Sequence, residues 1–519
     1  MDNMKETLTY NYPPRAGRRE WIGLAVIALP CMLYSMDLTV LNLAVPHLSK
    51  DLKPSSSELL WIIDIYGFMV AGFLITMGTL GDRIGRRKLL MIGAGAFGIA
   101  SIFAAFTNSA EMLIAARALL GIAGATLSPS TLSLIRNMFH DSKQRTVAIG
   151  VWIASYSVGA AIGPLIGGAL LENFWWGSVF LIAVPVMVLL LVLGPILLPE
   201  YRDPEAGSLD LFSAILSLVA VLSVIFGLKK IAENGLGWLP LVSILTGVII
   251  GMLFLRRQKL SNPLIDLKLF RTPSFSASLL IYTLATFVFF GTFFFTFQYM
   301  QLVKRLTPIE AGLWSLPVFL AFIIGSMFAP VIVRKTHPVN VIGSGLLLAS
   351  IGFGLLTQVT IDSGIILLVS GSIIHSLGIS LVFTLTTDII VGAAPPEKAG
   401  AASAISETGS EFGGALGIAI LGTVGTAIYR SNLTDNLPAG ISPKVADSAK
   451  QTLAEAVAQS HLISEALRNS FLNEANQAFI NGMQVVSLIC GIVTLCLGIV
   501  SLTKLRSRKI VASIVLGIL

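Results

Sequence analysis

Charge is what this sequence has least of. Charged residues make up 12% of its 519 positions, against about 25% in soluble domains, which excludes an ordinary water-soluble globule. Histidine occurs 5 times and cysteine 3 times. Cys31, Cys490 and Cys496 all stand inside apolar runs, so they offer no metal-ligand spacing and no disulfide framework. No nucleotide-binding loop and no nucleophile constellation is present, and neither a metal site nor an enzyme is expected. A cleavable signal peptide is not expected, because the first apolar run is too long and carries internal polar residues. The net charge of +7 sits in loops beside apolar runs, which argues for membrane topology and against a nucleic-acid partner.

What is abundant is apolar sequence: 55% of the residues are hydrophobic, and mean hydropathy is +0.83. Fourteen runs are about long enough to cross a bilayer: 21–45, 59–80, 89–107, 112–135, 148–171, 178–198, 211–227, 238–255, 275–303, 311–333, 339–359, 365–391, 401–429 and 479–502. The expected fold is an all-α polytopic membrane protein. An even number of spans puts both termini on one side. The basic loops place that side in the cytoplasm.

One short loop is dense in charge. Gly78, Asp82, Arg83, Gly85, Arg86, Arg87 and Lys88 lie between spans 2 and 3, where glycine permits a tight turn. Read plainly, this is a topogenic basic turn. Its order, G-x-x-x-D-R-x-G-R-R, resembles the signature loop between helices 2 and 3 of the major facilitator superfamily. That resemblance implies that Asp82 caps a neighbouring helix, that the arginines bridge helices, and that Asp82, Arg86 and Arg87 gate without touching substrate.

Several ionisable residues lie inside spans, where they are costly and usually functional. Asp37 in span 1 stands about 12 Å from the outer end. It faces either a cavity or a helix–helix polar contact through Thr39 or Asn42. Asp64 is about one and a half turns below the outer surface in span 2 and could instead be an interfacial acid. Arg117 in span 4 needs an anionic or carbonyl partner, unless it snorkels. Ser403, Glu407 and Glu411 form one stripe of span 13 at i, i+4 and i+8, with Glu411 nearest the midplane and no cation on the same helix. Asp388 reads as a loop-side acid, and Lys229 and Lys230 as end charges. Span 9 holds Phe287, Phe289, Phe290, Phe293, Phe294, Phe295, Phe297 and Tyr299. Too many to share one face, they mostly meet lipid or neighbours, while a subset could hold flat cations by ring faces.

Glycine patterns come next. Gly159, Gly163 and Gly167, with Pro164 and Gly168, leave span 5 one smooth face for close helix approach and a bend at the proline. Gly409, Gly413 and Gly417 repeat the spacing in span 13. Gly325 to Pro330, followed by Arg334 and Lys335, is a worn copy of the basic turn that has lost the acid. Such repeats indicate two related halves.

These motifs resemble a subdivision of the same superfamily, the fourteen-span drug:proton antiporters of the QacA and SmvA type. The matching residues are the D-x-T-V-x-N-x-A-x-P run from Asp37, W-x-x-D-x-Y from Trp61, R-x-x-x-G from Arg117, and G-x-x-x-G-P-x-x-G-G from Gly159. Gly177 and Ser178 depart from the usual pattern nearby. The resemblance implies the following organisation: a cytoplasmic tail at 1–20, a six-helix bundle at 21–198, a linker with two inserted spans at 199–274, a second six-helix bundle at 275–505 with a long outer loop at 430–478, and a tail at 506–519. Spans 7 and 8 read as inserted bulk. From residue 445 to 472 helical spacing predicts an amphipathic helix or helical hairpin over the outer face.

The function implied is proton-coupled export of lipophilic cations, such as quaternary ammonium biocides and dyes, by alternating access in the bacterial cytoplasmic membrane. Asp37, Asp64, Glu407, Glu411 and Arg117 are the expected proton-coupling and substrate-binding residues. The expected partners are small lipophilic cations, protons and membrane lipids. No cofactor beyond the proton gradient is expected, and a monomer is. No acid occurs in 317–330, where some related exporters have one, which suggests a narrower range for divalent cations. The alternative is export of a neutral or zwitterionic compound, with the acids serving protons only. A non-transporting receptor or membrane enzyme is a third possibility, from a different class.

Overall fold

Helix starts follow local capping chemistry. Ser55 and Glu58 form a capping box at the first turn of one helix, and Thr307 and Glu310 repeat it at another. Asp141 and Asp210 cap two more through their side chains. The computed structural model describes residues 15–204, 209–235, 237–259 and 263–503. Expectations for the rest of the two tails, and for the Asn42 side chain, lie outside the described residues.

The first group of helices is α1 (Arg18–Leu52), α2 (Ser56–Ile84), α3 (Arg86–Ala105), α4 (Ala110–Met138), α5 (Ser142–Asn173), and the pair α6 (Ser178–Leu181) and α7 (Ala183–Leu197), which together make span 6. An inserted hairpin follows, α8 (Leu211–Asn234) and α9 (Trp238–Arg257). The second group is α10 (Pro273–Gln298), α11 (Pro308–Val333), α12 (Pro338–Leu356), α13 (Ile365–Ala393) and α14 (Ala399–Asp435). The short α15 (Pro443–Ala449) and α16 (Leu453–Gln459) lead to α17 (Glu465–Thr503). Fourteen helices among the described residues are long and apolar enough to cross a membrane, and no strand occurs among those residues. The first group packs mainly through α1 on α5, α2 on α4 and α3 on α4; the second through α10 on α14, α12 on α13 and α12 on α17.

The glycine repeat is a backbone contact in both groups. A Cβ at Gly159 would collide with the Met32 carbonyl of α1, and one at Gly163 with Thr39 and Met36. In the second group, Gly413 and Gly417 meet the carbonyls of Thr283 and Phe287 on α10. Pro164 lies in the interior of α5, on the side toward α11, where a Cβ built on Gly312 would come within 4.0 Å of it. Gly168 differs from the rest of its motif, having no neighbour within 4 Å. We predict that Gly163→Leu forces α5 away from α1, at about 1–3 kcal/mol, and that the variant inserts normally but loses the export expected from the sequence. Wild-type export from it would reduce the motif to ordinary packing.

Three expectations need correction. The outer segment is shorter than its polar composition suggests. Helix continues to Asp435 on one side and restarts at Glu465 on the other, and α15 and α16 are two short helices between them. The inserted hairpin is not uniform bulk. Helix α9 packs on α8 and is largely exposed, but α8 packs on both α2 and α14, so it touches both groups. Asp388 is not a loop acid. It lies inside α13, accepting from Arg145 Nε at 2.7 Å and from Thr146 on α5.

An acidic and aromatic cluster between the bundles

The turn after α2 is built on one residue. Gly85 closes α2 and opens α3 at φ 111°, a conformation that favours glycine. The turn holds Arg86 over Asp82, with Nε and Nη2 donating to Oδ1 at 2.9 and 2.7 Å. Both side chains are buried. Asp82 also accepts from the backbone N–H of Gly400 and Ala401, at 3.1 and 2.9 Å, and so caps α14 from the other bundle. Arg86 Nη2 donates to the carbonyls of Pro396 and Glu397. Arg87 does something different: it donates to the carbonyls of Pro195 and Leu198 at the end of α7, inside its own bundle. Arg83 is half-buried, with one guanidinium nitrogen lacking a hydrogen-bond partner. Gly78 makes the crossing close, since a Cβ there would meet Ala404 and the Gly400 carbonyl. With Arg145–Asp388, two contacts tie the bundles together at the end that carries the basic turns.

Deeper in, a hydrogen bond joins the bundles. Tyr34 of α1 donates to Glu411 Oε1 of α14 at 2.7 Å. One turn earlier, Glu407 presents a buried Oε1 with no hydrogen-bond partner. Aromatic rings surround this spot. Tyr34 lies 5.7 Å from Tyr66 and 6.0 Å from Tyr156, whose ring packs edge-on against Trp152. Tyr156 donates to Ser128 and Trp152 to Thr131, which fixes both rings. In the second bundle Tyr282 packs on Phe383, and Phe289 packs on Phe383 and Phe322. Phe289 is thus one span-9 aromatic that turns inward, whereas Phe290 and Phe294 are exposed.

Arg117 does not snorkel. It is fully buried and pairs with Asp37 at 3.3 Å, while its guanidinium lies over the rings of Tyr66 and Phe180 at 5.3 and 6.0 Å. Its Nε and Nη2 have no hydrogen-bond partner, and neither has the Tyr66 hydroxyl. Glycine explains the approach, because Gly121 lies against the Tyr66 carbonyl and Gly124 against its ring. On its other side Asp37 lines a small cleft with Phe97, Ser101 and Phe180. Asp64 stands apart, in an ion pair with Lys229 of α8, whose ammonium lies 4.7 Å above the Phe68 ring.

The structure therefore divides the expected site into three. Glu407 and Glu411 share the inter-bundle position. Asp37 and Arg117 form a pair connected to it through Tyr66 and Tyr34. Asp64 faces the inserted hairpin. The sequence reading missed Tyr34, Tyr156, Trp152, Tyr282, Arg145 and Lys229. Trp152 and Tyr156 stand at i and i+4, a spacing that put them on one face in advance. Lys229 and Arg145 carried no such signal, since each looked like an ordinary charge at a span end.

The model of the Major Facilitator Superfamily matches residues 27–418. The chain is 40% identical over 482 residues to the multidrug efflux pump LfrA of Mycolicibacterium smegmatis, covering 93% of this chain and 95% of that one. It is 36% identical over 501 residues to the methyl viologen resistance protein SmvA of Salmonella typhimurium, covering 94% and 100%. Among solved structures, the human organic anion transporter MFSD10 (TETRAN) superposes with a TM-score of 0.59 at 14% identity, covering 92% of this chain and 99% of that one, a likeness of fold. Fourteen spans, a capped inter-bundle turn and these matches lead to one conclusion: the chain belongs to the Major Facilitator Superfamily and is a transporter, not an enzyme.

Proposed function

We propose that this protein exports lipophilic cations in exchange for protons across a bacterial cytoplasmic membrane, with both termini and the basic turns inside. The observation that carries the reading is the Glu407–Glu411 pair. Glu411 is held by a neutral phenol, and Glu407 Oε1 is held by nothing. Two carboxylates one turn apart, walled by tyrosine, tryptophan and phenylalanine rings, suit a proton or a flat organic cation equally. Carboxylates supply charge and ring faces supply cation–π attraction. Methyl viologen, in the name of one relative, is an aromatic dication of this chemistry, and multidrug efflux, in the name of another, fits a pocket that selects by charge and flatness.

Alternating access follows from the two bundles. The arrangement described is latched at the basic end by Asp82, Arg86, Arg145 and Asp388, so the acids are shut off from the cytoplasm. A proton arriving from outside displaces the cation outward. Opening of the basic end then returns the proton to the cytoplasm and admits the next cation. The membrane potential assists whenever more positive charge enters as protons than leaves as cation. The test uses purified protein in proteoliposomes with an imposed pH gradient. Uptake of a monovalent lipophilic dye should follow the gradient and collapse with a protonophore, and a neutral isostere should not compete for proton release. Dye transport indifferent to the gradient would overturn the proposal.

A further inference from the structure

The inserted helix α8 brings a cation to an acid at the outer half of the protein. Asp64 lies eight residues into α2, about 12 Å from the end opposite the basic turn. Along the same face stand Trp61 and Phe68, whose ring centroids are 6.0 Å apart. Lys229 reaches across from α8, paired with Asp64 and with its ammonium 4.7 Å from the Phe68 ring centre. A carboxylate and an aromatic face converge on one ammonium, with a second ring beside them. That is the donor set that holds organic ammonium ions.

Two further observations argue against a mere staple. The side chains of Asp64 and Lys229 are 26% and 32% exposed, so the pair is not sealed in by protein and an incoming ion can reach it. Nor does α8 need it for anchorage. Gly72 lets α2 pack closely on Leu218 and Leu222. At the hairpin's other end, Asp210 joins Arg257 of α9 at 2.7 Å and caps α8. Helix α8 touches both α2 and α14, and the Lys229 charge is near enough to act on Glu411 as well as on Asp64, so the site lies beside the contact between the bundles.

We propose that Lys229 is a built-in stand-in for the exported cation. Its ammonium occupies an outer site made by Trp61, Asp64 and Phe68, from which a monovalent organic ammonium displaces it on the way out and which Lys229 then reclaims. The tethered cation keeps outer affinity low and so favours release. This rests on the cation-export reading and adds to it a second site and a residue that sets affinity there.

The probe is benzyltrimethylammonium, titrated calorimetrically into full-length purified protein. A Glu407→Gln/Glu411→Gln background removes the two inter-bundle acids, and the Asp64→Asn arm separates the outer site from Asp37. Lys229→Met keeps the apolar stem and removes the charge, and should tighten binding at least tenfold. Lys229→Arg should stay within twofold of the background. Adding Asp64→Asn to Lys229→Met should erase the gain. A dissociation constant for Lys229→Met within twofold of the background overturns the proposal, as does a gain that persists without the Asp64 charge. The export reading is read separately, by proton release from otherwise wild-type protein when the dye is added. Release without a Lys229 effect counts against the stand-in alone, and a tenfold Lys229 effect without release counts against coupling at the inner acids alone.

Discussion

Glu411→Gln is expected to abolish proton-linked export, with a fall in transport rate of at least about 100-fold. The side chain keeps its shape and can still accept from Tyr34, so packing at the α1–α14 contact survives. What is lost is the exchangeable proton and the negative charge. When a cation enters beside the wild-type pair it stabilises the ionised form, and a proton leaves; coupled carboxylates titrate as a pair. In weakly buffered detergent solution, adding dye to wild type should therefore release protons, and adding it to Glu411→Gln should not. Because proton and cation compete for the same carboxylates, wild-type affinity should weaken as pH falls, and that dependence should flatten in the variant. Glu407→Gln and Asp37→Asn belong in the same series. If all three variants release protons as wild type does, the coupling site lies elsewhere, with Asp64 next. If wild type binds dye and releases none, exchange at these acids is wrong at its root.

The second large effect is expected from Asp82→Ala. This carboxylate is buried and joins three partners: the Arg86 guanidinium and the N–H groups of Gly400 and Ala401. Removing it strands a buried arginine, at about 3–5 kcal/mol, and uncaps α14, at about 0.5–2 kcal/mol. The cap is lost only in the state closed at the basic end, because α14 belongs to the other bundle, whereas Arg86 lies beside Asp82 within one bundle and is stranded in either state. The cap alone changes the ratio of closed to open molecules by about 2- to 30-fold. Spin labels at the basic ends of the two bundles should report a longer distance in the variant. Arg86→Ala should act in the same direction. Arg87→Ala should not, since Arg87 holds α7 within its own bundle. Equilibrium dye binding at the distant acids should change less than threefold. An unchanged distance distribution in folded Asp82→Ala protein would remove this latch from the mechanism.

Much of the fold was legible because hydropathy alone marks a helix that must cross lipid. The basic turn was legible for a related reason: few sequences join two spans through one glycine and still carry that many charges. Glu407 and Glu411 stood out because an acid in an apolar run has no cheap explanation. Their surroundings were not legible. Tyr34 lies 377 positions from Glu411 and is merely one tyrosine in an apolar run until the bundles meet. Arg145 and Asp388, 243 positions apart, each sat at a span end, where charge is ordinary. Arg117 was flagged as needing an anion, but only packing could show it to be Asp37 and not a lipid headgroup. The split of the inserted hairpin, with α8 engaged and α9 peripheral, was hidden because both helices are equally apolar.

Asp82 grips the first turn of α14, the helix that carries Glu407 and Glu411 two and three turns further along. Gate and acids are thus two loads on one rod. By linkage, whatever a load does to the position of α14 the other must feel in equal measure. A proton or cation that shifts α14 at its middle alters the strength of the grip at its end, and slackening the grip alters what the middle holds. No relay of intermediate residues is required for one event to time the other. The same economy sets a limit on engineering: a substitution in the first turns of α14 meant to loosen the gate will also retune proton affinity, and selecting for one property alone will drag the other with it.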